Sequence, residues 1–206
     1  MRLTVFSAAL MAIGFGLVLT SSDPIQGAPL PKKRADILPQ AAAMATGGWS
    51  TAPAAHAVFC ADNPQVCVGG GQNRIAMTAK TWTLLNRVNT SYNRAIIAAS
   101  DYDIHGRSDV WTIGSRFGDC EDFSLSKRRA LIAANVPASA MSIAVVRTAD
   151  GTGHAVLVVR TDRGDFVLDN RRPDIRGWDS TGYRWYKITA PHDPRKWVRV
   201  NGARSV

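Results

Sequence analysis

The run Gly118-Asp119-Cys120-Glu121-Asp122-Phe123 sets a cysteine between two carboxylates, and Glu121 is the only glutamate among the sixteen acidic residues. Neighbouring negative charge raises a thiol pKa, so a reactive thiolate at Cys120 needs a base or a cation from elsewhere in the chain. Two later runs offer candidates. Gly153-His154-Ala155 opens one apolar stretch, and Val167-Leu168-Asp169-Asn170 closes the next. Cysteine, then histidine, then aspartate is the order a nucleophile, a base and an orienting carboxylate would take. His154 would accept or share the thiol proton and later protonate a leaving amine, while Asp169 would fix the tautomer and stabilise the imidazolium. A cysteine hydrolase is the chemistry that fits these three.

Each residue also has a plainer reading. A cysteine is often a buried structural thiol, although Gly-Asp-Cys-Glu-Asp is a polar setting for one. Asp119 suits a helix N-cap whatever else it does. A lone histidine is more often a core or surface residue than a catalyst, and Asp169 alone could simply end a strand.

The elements that must hold the candidates follow from periodicity. Asp119 caps a helix expected to run to about Ala134, with Phe123, Ala130, Leu131 and Ala134 on one stripe and Asn135 and Pro137 ending it. A cysteine in the first turn gains from the partial positive charge of the amides there, which also suit an oxyanion. Residues 78–99 show a second helical stripe through Trp82, Leu85, Val88, Tyr92 and Ile96, and Asp101 to Gly118 is expected to be a polar loop. Beyond Pro137 the chain is strand-like at Met141–Thr148, His154–Thr161, Asp165–Asp169, Trp185–Thr189 and Trp197–Val200. The turn Asp162-Arg163-Gly164 makes a hairpin that sets His154 and Asp169 on neighbouring strands. Helices first and a meander of strands after give an α+β fold, with N-terminal helices packed on an antiparallel sheet.

Length and charge bound the rest. The 206 residues suit one domain with an N-terminal extension. Arg2 followed by the apolar run Val5 to Leu19 fits an export signal over 1–28, with an uncleaved anchor as the alternative, and no later segment is apolar enough to span a membrane. Residues 29–51, rich in Pro, Ala and Gly, are expected to be a disordered or linker arm, leaving 52–206 as the catalytic domain. The net charge of +9 comes with Lys127-Arg128-Arg129, Arg171-Arg172 and Arg195-Lys196, which suit a solvated basic surface. No basic-aromatic module accompanies them, so nucleic acid is not an expected partner. An exported chain favours pairing of Cys60 with Cys67 across a short Pro-containing loop, which leaves Cys120 as the free thiol.

The motifs around Cys120, with Lys127-Arg128-Arg129, Gly153-His154-Ala155-Val156-Leu157 and Leu168-Asp169-Asn170, resemble those of the bacterial transglutaminase-like cysteine peptidases, the group that includes the LapG-type periplasmic proteases. Weaker echoes are Trp82 to Asn89, Asp109-Val110-Trp111 and Asp193-Pro194-Arg195-Lys196-Trp197, so the resemblance runs from about Phe59 to Val198. It implies a papain-like core of the transglutaminase type with Cys120, His154 and Asp169 as the triad. It also implies Ca²⁺ held by Asp119 and Glu121, the acidic residues that flank the cysteine. Asp101, Asp103, Asp109 and Asp122 could add oxygen ligands of the kind calcium takes. LapG-type members cut large surface adhesins under control of an inner-membrane receptor, so a protein or peptide substrate, a surface adhesin and such a receptor are the implied partners. The implied location is periplasmic or secreted. The same site could instead pass its acyl group to an amine, as a transglutaminase or amidase would, and a non-catalytic binding domain could retain the fold.

Overall fold

The structure, a computed structural model, describes residues 37–114 and 116–202. The expected signal segment and residues 29–36 of the expected arm lie outside these. Along the described chain come β1 (Ala45–Ser50), α1 (Ala54–Asp62), α2 (Ala79–Ala95), β2 (Ile97–Ala98), α3 (Asp101–His105), β3 (Phe117–Gly118) and α4 (Cys120–Ala133). The second half is β4 (Met141–Arg147), β5 (Gly153–Thr161), β6 (Gly164–Leu168), β7 (Arg176–Gly177), β8 (Arg184–Thr189) and β9 (Trp197–Asn201). Seven strands form one sheet in the order β1-β9-β8-β4-β5-β6-β7, every pair antiparallel. β2 and β3 make a separate parallel pair. The α+β expectation holds.

The central strands β4 and β5 are buried at nearly every position because both faces are covered. Met141, Ile143, Leu157 and Val159 point to the helices, where they join Leu85, Val88, Leu125 and Leu131. The alternate residues Ala144, Val146, Val156 and Val158 face a second cluster containing Met44, Trp178, Trp185 and Ile188. Side chains alternate across a strand, so one apolar run serves two cores.

The hairpin at 162–164 forms as expected. Leu157 pairs with Leu168 and Thr161 with Gly164, which carries φ of +103°. A Cβ there would stand 2.2 Å from Ala41 O, so the turn also requires glycine for space. α4 starts at the expected cap and stops where Asn135 takes φ of +64°, but its buried side is wider than the stripe. Residues 121–128 are all buried, whereas Ala134 is exposed.

Three expectations need correction. The arm is ordered from residue 37 onward: β1 pairs with β9, Ala41 N–H bonds Arg163 O at 2.9 Å, and Met44 N–H bonds Asp165 Oδ2 at 2.8 Å. Weak local propensity is overridden here by backbone partners on the sheet edge. The polar loop expected over 101–118 contains α3 and ends in β3. Finally, the basic run at 127–129 is not a solvated surface. Lys127 and Arg128 are buried, and only Arg129 is exposed. Arg128 spends its guanidinium on Val66 O at 2.8 Å and Val68 O at 3.0 Å.

Those two carbonyls flank Cys67, which is disulfide-bonded to Cys60 as expected. His56 sits beside the disulfide, edge-on to Trp111 and Trp197, and accepts the Trp197 indole N–H on Nδ1 at 3.1 Å. Burial, with Arg128 nearby, pushes the His56 pKa down to about 4, so it acts as a neutral core group. Replacing Cys60 and Cys67 together by alanine should lower stability by about 2–3 kcal/mol, the loop-closure value for so short a span. Urea unfolding measures it, and an unchanged midpoint would show that the loop is held without the bond.

Burial also pushes the Lys127 pKa down to about 7, against a partial opposing pull from Asp169. Between that value and the ordinary 10.5 the unfolded chain holds a proton that the folded chain has lost. Raising the pH through this window therefore favours the fold. The stability of the wild type relative to Lys127→Met should rise from pH 7 to pH 10 in urea titrations, and a flat difference would mean Lys127 keeps its ordinary pKa.

Candidate active site

Cys120 is the first residue of α4, with Asp119 as N-cap and the Asp122 carboxylate returning to the Asp119 N–H at 3.3 Å. The other Asp122 oxygen accepts the Thr112 N–H at 2.6 Å and so pins the loop that precedes β3. A Cβ on Gly118 would lie 2.6 Å from Asp122 Oδ2, which is why glycine stands ahead of this cap. The Cys120 thiol is half-buried and free.

His154 is the second residue of β5, the strand against which α4 packs. Its Nε2 lies 2.9 Å from Asp169 Oδ1, just past the end of β6. Both side chains are almost fully buried. Burial raises the Asp169 pKa, but hydrogen bonds from His154, Tyr183 and the Arg171 N–H outweigh it and hold the group at about 2. An ionised Asp169 requires the proton on Nε2, and Nδ1 is then the basic nitrogen of the ring.

The same strand meets the thiol: Ala155 N–H points at Cys120 Sγ at 3.3 Å. The structure thus places Cys120 against the residue next to His154 and joins His154 to Asp169. It shows no hydrogen bond between the thiol and the imidazole. The thiol donates instead to Glu121 Oε2 at 3.1 Å. Burial first, then the Glu121 charge, pushes the Cys120 pKa well above the ordinary thiol range. The difficulty visible in the sequence is therefore present in the fold.

The carboxylates gather on this side of the helix. Ligand atoms of Asp119, Cys120 and Glu121 lie within 4.8 Å of one another, as do those of Asp101, Asp119 and Asp122. Burial, with Glu121 and Asp101 nearby, pushes the Asp119 pKa up to about 8, and burial pushes Asp122 up to about 6 and raises Glu121. Asp101 Oδ1 and Asp119 Oδ1 are buried with no hydrogen-bond partner. Buried, unpartnered carboxylate oxygens within so close a group suit a hard cation, and the donor set is of the kind calcium takes. Of the other acidic residues considered from the sequence, Asp103 accepts from Ser100 Oγ and exposed Asp109 from the Trp111 indole. Neither is in the cluster.

Tyr183 was invisible in the sequence. Its hydroxyl donates to Asp169 Oδ2, and its ring stands edge-on to His154 with centroids 5.6 Å apart. It thereby occupies the Asp169 oxygen that His154 does not use. No motif marks it, because it lies in an irregular turn fourteen residues beyond Asp169.

Comparison with known proteins places this geometry. The family model of the bacterial transglutaminase-like cysteine proteinases matches residues 46–205. Among solved structures, calcium-bound LapG of Legionella pneumophila aligns with a TM-score of 0.50 at 20% identity, over 61% of this chain and 72% of that one. EGTA-treated LapG from the same organism aligns at 0.45 and 24% identity, over 52% and 62% of the two chains. No curated protein sequence matches the chain. The LapG likeness shows the transglutaminase-like fold, a mixed layer of helices on an antiparallel sheet. With its family match spanning the helices, the sheet and all the candidate residues, the chain belongs to the bacterial transglutaminase-like cysteine proteinases and is a cysteine peptidase.

Proposed function

We propose that the protein is an exported endopeptidase that cuts envelope or surface proteins, with Cys120 as nucleophile, His154 as base and acid, and Asp169 as the orienting carboxylate. The observation that carries this reading is the buried His154–Asp169 pair, whose tautomer leaves Nδ1 basic on the strand that meets the Cys120 thiol. Transfer of the thiol proton to Nδ1 makes a thiolate–imidazolium pair. Sγ then bonds to the scissile carbonyl carbon, and the first-turn amides of α4 face the developing oxyanion. Collapse to the thioester breaks the C–N bond as the imidazolium protonates the leaving amine. A water deprotonated by His154 attacks the thioester and releases the acid, returning the proton to the thiol.

Asp119 and Glu121, with Asp101 and Asp122 behind them, are the residues that would hold Ca²⁺. When bound, the ion supplies positive charge beside Cys120 and offsets the carboxylates that now disfavour the thiolate. LapG of Legionella pneumophila has been solved both calcium-bound and EGTA-treated, in keeping with this assignment. Export accords with the Cys60–Cys67 disulfide, and no helix among the described residues is long and apolar enough to cross a membrane. A surface adhesin as substrate and an inner-membrane receptor as regulator are the partners the family resemblance suggests. Sequencing of new N-termini in envelope proteins, with wild type against Cys120→Ala, tests the substrate class.

Cys120→Ala should abolish both turnover and covalent labelling by iodoacetamide. His154→Ala should slow labelling at neutral pH, because the thiolate loses its cationic partner while the carboxylates stay. Asp169→Asn should be milder in labelling yet costly in turnover, since it disturbs the imidazole and leaves the nucleophile. If His154→Ala labels and turns over like the wild type, the triad assignment fails.

Calcium should stabilise the fold by about 2.7 kcal/mol at a hundred times its Kd. A chelator should lower the melting temperature accordingly, and Glu121→Gln should blunt that change. Superimposable melting curves in calcium and chelator would reduce these carboxylates to caps.

A further inference from the structure

Lys127 lies two turns along α4 from Cys120 and has no exposed surface. Its Nζ donates to a single side chain, Asn89 Oδ1, at 2.8 Å, and stands 5.8 Å from the centroid of the Phe123 ring. No carboxylate lies within ion-pairing distance of it among the described residues. A fully buried lysine with one hydrogen bond is a poor way to build a core. An apolar side chain of similar volume usually serves as well or better. Its use therefore points to what its partner does.

Asn89, on α2, is equally buried, and its Nδ2 faces Arg172 O at 3.4 Å and Pro173 O at 3.3 Å. One turn on, Asn93 Nδ2 donates to Asp169 O at 2.8 Å and Arg172 O at 2.9 Å. The two asparagines thus hold three carbonyls of the loop 169–173, the loop that aims Asp169 at His154. A carboxamide presents donors from one end and an acceptor from the other, and turned over it would set its oxygen against two carbonyl oxygens. A donor at Oδ1 selects the orientation that works. Lys127 is that donor.

We propose that Lys127 is a positioning residue: by fixing the Asn89 carboxamide it clasps the loop 169–173 and so holds the Asp169 carboxylate on His154. This rests on the reading of Asp169 as the group that orients His154. Lys127 touches neither the thiol nor a substrate, and its effect passes through α2 to the far side of the imidazole.

The test is the pH profile of Cys120 labelling by iodoacetamide in the full chain, measured beside the melting temperature. Lys127→Met keeps the volume and removes the donor. Labelling at pH 7 should fall about fivefold, the factor that one ordinary hydrogen bond corresponds to, and by no more than in Asp169→Asn. The profile should move to higher pH, because the base that takes the thiol proton is held less well. Asn89→Asp keeps an acceptor for Lys127 but turns an oxygen on Arg172 O and Pro173 O, and should shift the profile in the same way. If Lys127→Met does not fold, Asn89→Asp decides by the same comparison. A wild-type profile in these variants while Asp169→Asn is impaired overturns the proposal, as does a lower melting temperature with an unmoved profile. A wild-type profile in Asp169→Asn overturns the orienting role of Asp169 itself, and the proposal with it.

Discussion

A polar helix buried at the centre of the fold is the constraint to which the remaining parts answer. In α4 the residues Glu121, Asp122, Ser124, Ser126, Lys127 and Arg128 are all withdrawn from water. An unsatisfied polar group in such a place costs on the order of 1–3 kcal/mol, more when charged. Each therefore recruits a neighbour. Asp122 fixes the loop before β3, Ser126 Oγ takes the Gly114 N–H, Lys127 reaches α2, and Arg128 reaches the disulfide loop. The segments so reached also pack apolar side chains on the core, Trp111, Leu85 and Cys67 among them, so the bonds fix in register what hydrophobic contact brings close. The same helix carries Cys120 at its first position, so the residues that organise the fold also set the position of the thiol.

The division of labour around the thiol follows from this. β5 carries His154 immediately before the Ala155 amide that meets the thiol, so their spacing is a property of strand geometry. Asp169 lies outside the strands, where its direction depends on Tyr183, the Arg171 N–H and the asparagines of α2. The histidine is placed by regular structure, and the carboxylate by a web of side chains drawn from distant parts of the chain.

That difference also decides what could be read beforehand. α4 was legible because its two ends carry local signals, Asp119 at the start and Asn135 with Pro137 at the stop. The β5–β6 hairpin was legible because Asp162-Arg163-Gly164 is a turn in its own right. β1 was not, since its Gly47-Gly48 pair has no strand propensity and its order comes from β9 and Asp165, both far along the chain. Lys127 and Arg128 resembled a surface patch because composition records charge and not depth. Cys120, His154 and Asp169 stood out by type and order, but the thiol's bond to Glu121 and the role of Tyr183 needed the packed structure.

The pairing of β1 with β9 has a kinetic consequence. Ala45 lies opposite Asn201, so the sheet joins the first described strand to the last. Closing so long a loop is slow relative to local helix and hairpin formation. A chain delivered from its N-terminus therefore carries β1 without a partner until almost all of the domain has emerged. The hairpin of β5 and β6 forms from neighbours and can wait for neither end. Completion of the fold is thus timed by the arrival of the C-terminal strand, and a chain truncated before Trp197 would keep its local hairpins while leaving the edge of its sheet open.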